Sequence, residues 1–146
     1  MKSVLIASFA CLMMLSGCAS GPKHSEVASS IPALKADAGR VYFYRTALMG
    51  AAVRPEVRLN GTVVGTAVPG GFFFVDQPPG AYEVSTSTEV EKKLTFTLAA
   101  GDTRYVRLNM AFGLLVGRVV PELTPAAEAT KEIADLSYAG TTPLKK

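Results

Sequence analysis

Few residues in this sequence are of a type that does chemistry. Cys18 closes the run Leu15-Ser16-Gly17-Cys18. Small residues at 16 and 17 fit the active site of a peptidase, and only a thiol can take a thioether-linked diacylglyceryl group. His24 is the only histidine. Serine–histidine catalysis needs a histidine held by the fold, and His24 lies in a stretch that reads as linker, so a solvated role is expected. Glu83, Glu89 and Glu91 share one face of a regular strand. Paired carboxylates do acid–base work when burial separates their pKa values; on an exposed strand they are a polar face, which is the preferred reading. No Asp/Asn/Gly loop frames them for calcium. From Gly39 onward there is neither His nor Cys for zinc, and no metal or cofactor is expected.

Two further groups could bind rather than react. Tyr42, Tyr44 and Tyr105 lie opposite the Val41 and Phe43 face and could form an aromatic platform for sugar or peptide. Strand tyrosines are also ordinary β-formers, and that reading is favoured. Arg45, Arg54 and Arg58 could recognise an anionic envelope polymer, or be a solvated rim. Phe112 to Val116 is apolar and could contact a partner or a membrane; a core strand is the favoured reading. The charges are scattered and the net charge is only +3, so no nucleic-acid stripe is present.

The segments that position these residues begin with a leader. Lys2 is a short positive region and Val4 to Leu15 is uncharged and apolar. That run is too short for a bilayer span of ~20 residues. Positive region, apolar run and four-residue box fall in the order of a lipoprotein leader. Residues 1–17 are expected to be removed by cleavage between Gly17 and Cys18, and Cys18 to anchor the rest in a membrane. Two or three acyl chains at ~0.8 kcal/mol per buried methylene make such an anchor effectively permanent. Ala19, rather than aspartate, follows the cysteine. That favours the outer membrane, facing the periplasm, if the cell has two. Cys11 leaves with the leader, so the domain holds no disulfide.

Residues 18–38 read as the lipidated cysteine and a flexible tether, with an r.m.s. reach of about 25 Å. Residues 39–138 read as one β-rich domain. Val41 to Tyr44 and Val53 to Asn60 are strands, and Asn60-Gly61 predicts a type I′ hairpin pairing Leu59 with Thr62 and Val57 with Val64. Phe72-Phe73-Phe74-Val75 lacks alternation, which fits a strand buried on both faces or an apolar edge that something covers. Pro78-Pro79-Gly80 predicts a type II turn with positive φ at Gly80. Alternation continues through Tyr82–Thr88, Leu94–Leu98 and Val106–Met110. Thr124 reads as the N-cap of a closing helix with Pro125 at its first position, its stripe being Ala126, Ala129, Ile133 and Leu136. Residues 139–146 read as a loose tail.

Four stretches carry a resemblance: Gly39-Arg40-Val41-Tyr42-Phe43-Tyr44-Arg45, Leu59-Asn60-Gly61 with Gly65, Pro79-Gly80-Ala81-Tyr82, and Gly101-Asp102-Thr103-Arg104-Tyr105-Val106. In order and spacing they resemble a family of bacterial lipoprotein domains known only as domain of unknown function 2846, over roughly residues 39 to 138. The same grammar looks like prealbumin-like β-sandwiches. The resemblance implies a mainly β fold: an antiparallel, prealbumin- or Ig-like sandwich of about seven to eight strands with one C-terminal helix. It brings no catalytic residues. The expected role is a non-catalytic binding or structural module of the cell envelope, held by lipid on Cys18 and meeting an envelope protein or cell-wall polymer. A small carboxylate-dependent hydrolase or lyase using Glu83 and Glu89 is the competing class.

Overall fold

Strand β1, Gly39–Arg45, is buried at every position. Val41 and Phe43 point to one side, Tyr42 and Tyr44 to the other, because side chains alternate along a strand. A strand with two apolar faces needs a layer on each. The computed structural model describes residues 20–46, 48–88, 92–112 and 117–145, and it supplies both layers. The leader, Gly17 and Cys18 lie outside the described residues.

Nine strands are described: β1, then β2 (Glu56–Leu59), β3 (Thr62–Thr66), β4 (Gly71–Gln77), β5 (Gly80–Thr86), β6 (Leu94–Leu98), β7 (Thr103–Phe112), β8 (Gly117–Leu123) and β9 (Ser137–Tyr138). They form a five-stranded sheet of order β8-β7-β1-β4-β9 and a four-stranded sheet of order β3-β2-β5-β6. Val41, Phe43, Phe73, Val106 and Leu108 from the first sheet meet Val57, Leu59, Val84 and Leu98 from the second. Burying each such side chain is worth roughly 1.5–3 kcal/mol. The protein is a two-sheet, sandwich-like fold.

The expected antiparallel arrangement is corrected. β1 runs parallel to β7, with Tyr42 opposite Tyr105, and β4 runs parallel to β9. Each parallel pair is joined by intervening structure rather than a hairpin, as parallel geometry requires.

The second layer covers the outer face of the five-stranded sheet. Tyr42, Tyr44, Phe72 and Phe74 pack there against Ala129, Ile133 and Leu136 of the C-terminal helix region. Phe72 and Phe74 face outward while Phe73 faces the sandwich core, so the run without alternation is buried on both faces. Helix α2 spans Ala126–Ile133. Its N-cap is Pro125, not Thr124, because the Pro125 carbonyl accepts the first helical bond, from the Ala129 amide at 2.9 Å. Ala126 is exposed rather than part of the buried stripe.

Two termini differ from expectation. Residues 21–38 are docked rather than a free tether. Short helix α1 covers His24–Val27, a 3-10 turn covers 28–30, and Lys23 bridges Ser137. The His24 amide donates to the Leu136 carbonyl at 2.9 Å and the Tyr138 amide to the Pro22 carbonyl at 2.8 Å. The tail is likewise held, with the Ala139 amide on the Phe72 carbonyl and the Lys145 amide on the Ser30 carbonyl.

The turns divide. Asn60 and Gly61 have φ of 49° and 80°, the left-handed pair of a type I′ hairpin. Leu59 pairs with Thr62 as expected, but a bulge sets Val57 opposite Gly65 instead of Val64. The bulge brings the residue without a side chain over Phe73, where a Cβ would sit 2.5 Å from the ring. Gly80 belongs to β5 and is absent from the positive-φ glycines, so the type II turn expected there is corrected.

Candidate functional site

A pocket of about 330 Å³ opens where α1, α2 and the outer face of the five-stranded sheet meet. Its walls include His24, Ile31, Arg40, Tyr42, Tyr105 and Ile133. β1 delivers Arg40 and Tyr42, and parallel pairing sets Tyr105 of β7 beside Tyr42. The two tyrosine rings stack at 5.3 Å and 13°. His24 meets Phe72 edge-on at 5.1 Å and Tyr42 at 6.2 Å. These are favourable aromatic geometries.

Two charge clusters hold the pocket's walls. Arg40 donates to Asp76 in a fork, Nε to Oδ1 at 2.6 Å and Nη2 to Oδ2 at 2.8 Å. The same Nη2 donates to the Pro32 carbonyl at 2.9 Å, and the guanidinium lies 4.5 Å from the Phe74 ring centre. Arg40 therefore pins the N-terminal segment to the sheet, and its hydrogen bond to Asp76 holds its pKa above the ordinary value. On the other side, Tyr44 donates to Glu132 at 2.7 Å, and Arg107 donates to Glu132 and Glu128. That cluster ties α2 to the sheet.

The pocket presents neutral polar groups. Burial holds the His24 imidazole below its ordinary pKa of 6.5. Burial likewise pushes the Tyr42 and Tyr105 phenols up, so they stay protonated. The Arg40 charge is already matched by Asp76. Among the described residues no carboxylate bonds the His24 ring. The arrangement can bind a small molecule by stacking and hydrogen bonding; it lacks the acid that orients a histidine base.

The sequence candidates are dispersed. Tyr42 and Tyr44 are 8% and 0% exposed, so they do not form the surface platform weighed as the alternative to ordinary strand tyrosines: they lie beneath α2 and the N-terminal segment. Tyr105 keeps partial exposure and joins Tyr42 at the pocket. Arg45 is fully buried and bonds four backbone carbonyls, so it cannot reach an external polymer. Arg58, on the other sheet, is bonded to Glu56 at 2.9 Å, and Arg54 is exposed. Glu83 pairs with Lys93 at 2.9 Å beside a shallow hollow on the second sheet; Glu89 and Glu91 lie outside the described residues. His24 is packed into the pocket rather than solvated. Phe112 is 69% exposed, against the core position expected, and residues 113–116 lie outside the described residues. Among the described residues no group of three or more His, Cys, Asp or Glu could hold a metal ion, and no helix is long and apolar enough to cross a membrane.

Sequence reasoning missed His24 and Arg40 as wall residues. The apolar side chains at Tyr42, Tyr44, Phe72 and Phe74 were the available signal, since that second face required a cover.

Comparison with known proteins gives a family but no activity. A family model described as "Protein of unknown function (DUF2846)" matches residues 35–119. The chain is 25% identical over 132 residues to a protein of Haemophilus influenzae described as "Uncharacterized protein", covering 87% of this chain and 79% of that one. No solved structure matches.

Proposed function

The chain belongs to the family of proteins of unknown function DUF2846, and from that footing we propose that it is a lipid-anchored protein of the bacterial cell envelope whose domain is a non-catalytic binding or structural module. The anchor is lipid on Cys18, with the domain facing the periplasm from the outer membrane. The observation that carries this reading is the leader, Lys2 and the apolar run to Leu15, closing in Leu15-Ser16-Gly17-Cys18; the chain is docked from Gly21 onward. Only Ala19 and Ser20 separate Cys18 from Gly21, and three residue steps span at most about 10 Å. A lipid at Cys18 would hold the domain close to the bilayer in a restricted orientation. That suits a module which meets partners at the envelope surface.

The packing of a five-stranded on a four-stranded sheet, antiparallel apart from the pairs β1 with β7 and β4 with β9, supports a prealbumin-like sandwich as the finer reading of the fold. The pocket lined by His24, Tyr42 and Tyr105 supports binding of a small neutral ligand; an envelope protein or cell-wall polymer would meet the outer surface.

Metabolic labelling with palmitate tests the anchor. Wild-type protein should carry label and float with membranes, and Cys18→Ser should lose both. Label persisting in Cys18→Ser would overturn the reading. Crosslinking pull-down against a Cys18→Ala control tests the binding role, and recovery of nothing beyond that control would count against it.

A further inference from the structure

Tyr105 stands between two hollows. It lines the pocket of about 330 Å³ beside His24, and also a second one of about 340 Å³ whose walls include Thr103, Thr124, Pro125 and Ala126. Strand order explains the division. β7 lies between β1 and β8. Tyr42 of β1 stacks on one face of the Tyr105 ring. On the other side the Thr124 amide, just past β8, donates to the Tyr105 carbonyl at 2.9 Å. The second face of the ring therefore turns towards the second hollow.

Helix α2 serves both hollows. Thr130 lines the first and Ala126 the second. The two lie on one face of the helix, where the Thr130 hydroxyl donates to the Ala126 carbonyl at 2.7 Å. Four residues separate them by about 6 Å along the axis, comparable with the length of one pyranose unit in a glycan chain.

The walls offer rings and hydroxyls, and their charges are already matched. Arg40 and Arg104 are the arginines that line the hollows. Arg40 is forked to Asp76, and Arg104 bonds Asp102 at 3.1 Å. An anionic ligand would have to compete with those carboxylates. A cationic one would meet no acidic wall, since among the described residues neither Asp nor Glu lines either hollow. The Tyr105 hydroxyl and the His24 ring have no hydrogen-bond partner among the described residues. A ligand that brings hydroxyls to such groups and a flat C–H face to an aromatic ring is a sugar. The first hollow adds an apolar corner at Ile31, Leu34 and Ile133. A plain hexose has nothing to place there. An acetamido group does: its methyl suits the corner, and its amide can hydrogen-bond beside His24 and the phenols.

We propose that Tyr105 and the two hollows form one extended site for a neutral glycan of N-acetylated amino sugars. One sugar ring lies on the free face of Tyr105, and an acetamido group of a neighbouring unit enters the pocket beside His24. The proposal rests on the reading of the domain as a binding module and names the class of polymer it takes. It does not depend on the anchor.

Isothermal titration of the full chain as the cell processes it, in a polyoxyethylene detergent that carries no sugar, tests the site. The probes are penta-N-acetylchitopentaose, its monomer N-acetylglucosamine, and maltopentaose, which has as many rings as the first and no acetamido group. The pentamer should bind, and the other two about tenfold more weakly or worse. Raising the salt concentration should leave its affinity unchanged, because screening acts on charges. Tyr105→Ala should weaken the pentamer about tenfold, and Tyr105→Phe, which keeps the ring, by less. Truncating Tyr105 also removes its packing on Tyr42 and can disturb the fold. Ala126→Leu and Thr130→Leu avoid that difficulty, since both positions are exposed and each leucine fills one hollow; each should weaken the pentamer severalfold. No binding of the pentamer up to about 10 mM overturns the proposal. So does equal affinity for the monomer or for maltopentaose, loss of binding at high salt, or leucine variants that bind as wild type. A failed titration with a partner recovered in the crosslinking pull-down sinks this inference alone; failure of both sinks the binding role as well.

Discussion

Replacing Arg45 with methionine should cost about 2–4 kcal/mol of stability. The guanidinium is fully buried, with no carboxylate among its bonded partners. Its Nη1 donates to the carbonyls of Val53 and Ala67 at 2.6 and 3.0 Å, its Nη2 to those of Met49 and Gly50 at 3.1 and 3.0 Å. Arginine stays charged despite a pKa lowered by burial, so the four carbonyls are what make its burial tolerable. Methionine fills much of the stem's volume and removes all four donors. The Met49 and Gly50 carbonyls belong to an exposed turn and can turn to water. Those of Val53 and Ala67 are more enclosed, and each orphaned acceptor costs ~1–3 kcal/mol. Relief from burying a cation offsets part of that sum, which gives the figure above. For a chain of this size it corresponds to a fall in Tm of roughly 6–12 °C. Urea unfolding followed by far-UV circular dichroism measures it, with an unchanged m-value as the sign that only stability moved. Arg45→Lys keeps the charge but cannot fork to four carbonyls, so it should fall between wild type and methionine. An Arg45→Met protein within 0.5 kcal/mol of wild type, to take about half the usual value of a hydrogen bond, would refute the idea that this side chain holds the loop bearing Leu48 and Met49.

Three further outcomes follow from the same contacts. His24 is held below its ordinary pKa of 6.5 in the fold. The unfolded chain therefore binds its proton first as pH falls, and stability fully present above about pH 6.5 is lost progressively below it; the difference in urea midpoint between wild type and His24→Gln should change across that window, and a constant difference would deny the effect. Arg40→Gln should cost about 1–2 kcal/mol, a fork to a partly exposed carboxylate being worth less than a buried one, and should raise hydrogen exchange at the Ile31 amide before the core strands respond. Gly65→Ala should cost about 1–3 kcal/mol by overpacking, because its Cβ would meet the Phe73 ring at 2.5 Å; a variant as stable as wild type would mean that the ring moves freely.

Local signals were legible where they depend on neighbours in sequence. Asn60-Gly61 makes its turn because both residues tolerate positive φ, and the alternation in β6 and β7 gave their faces. Non-local effects were not legible. The bulge at Val57 places Gly65 against Phe73, a residue on the other sheet. Arg45 reads as a surface cation until the loop after β1 folds its carbonyls over it. The parallel pairing of β1 with β7 joins residues 63 positions apart (Tyr42 with Tyr105), which no period of alternation encodes.

The N-terminal segment is the most consequential case. Small and turn-forming residues at 19–38 fit a linker, but they fit a docked edge equally well. What separates the two is the demand made by the rest of the chain. Tyr42, Tyr44, Phe72 and Phe74 form a broad apolar face. Helix α2 has eight residues and is about 12 Å long at 1.5 Å per residue. Tyr105 and Tyr138 extend that face to four strands, β7 to β9; strands in a sheet lie about 4.8 Å apart, so four span roughly 14 Å, and so short a helix does not cover the face alone. The chain before β1 supplies further cover through His24, Val27 and Ile31, and Leu144 of the tail adds to it. Once that segment belongs to the fold it cannot also serve as a long leash. A lipid on Cys18 would then act as a short one, and the direction in which the domain faces becomes part of how the protein works.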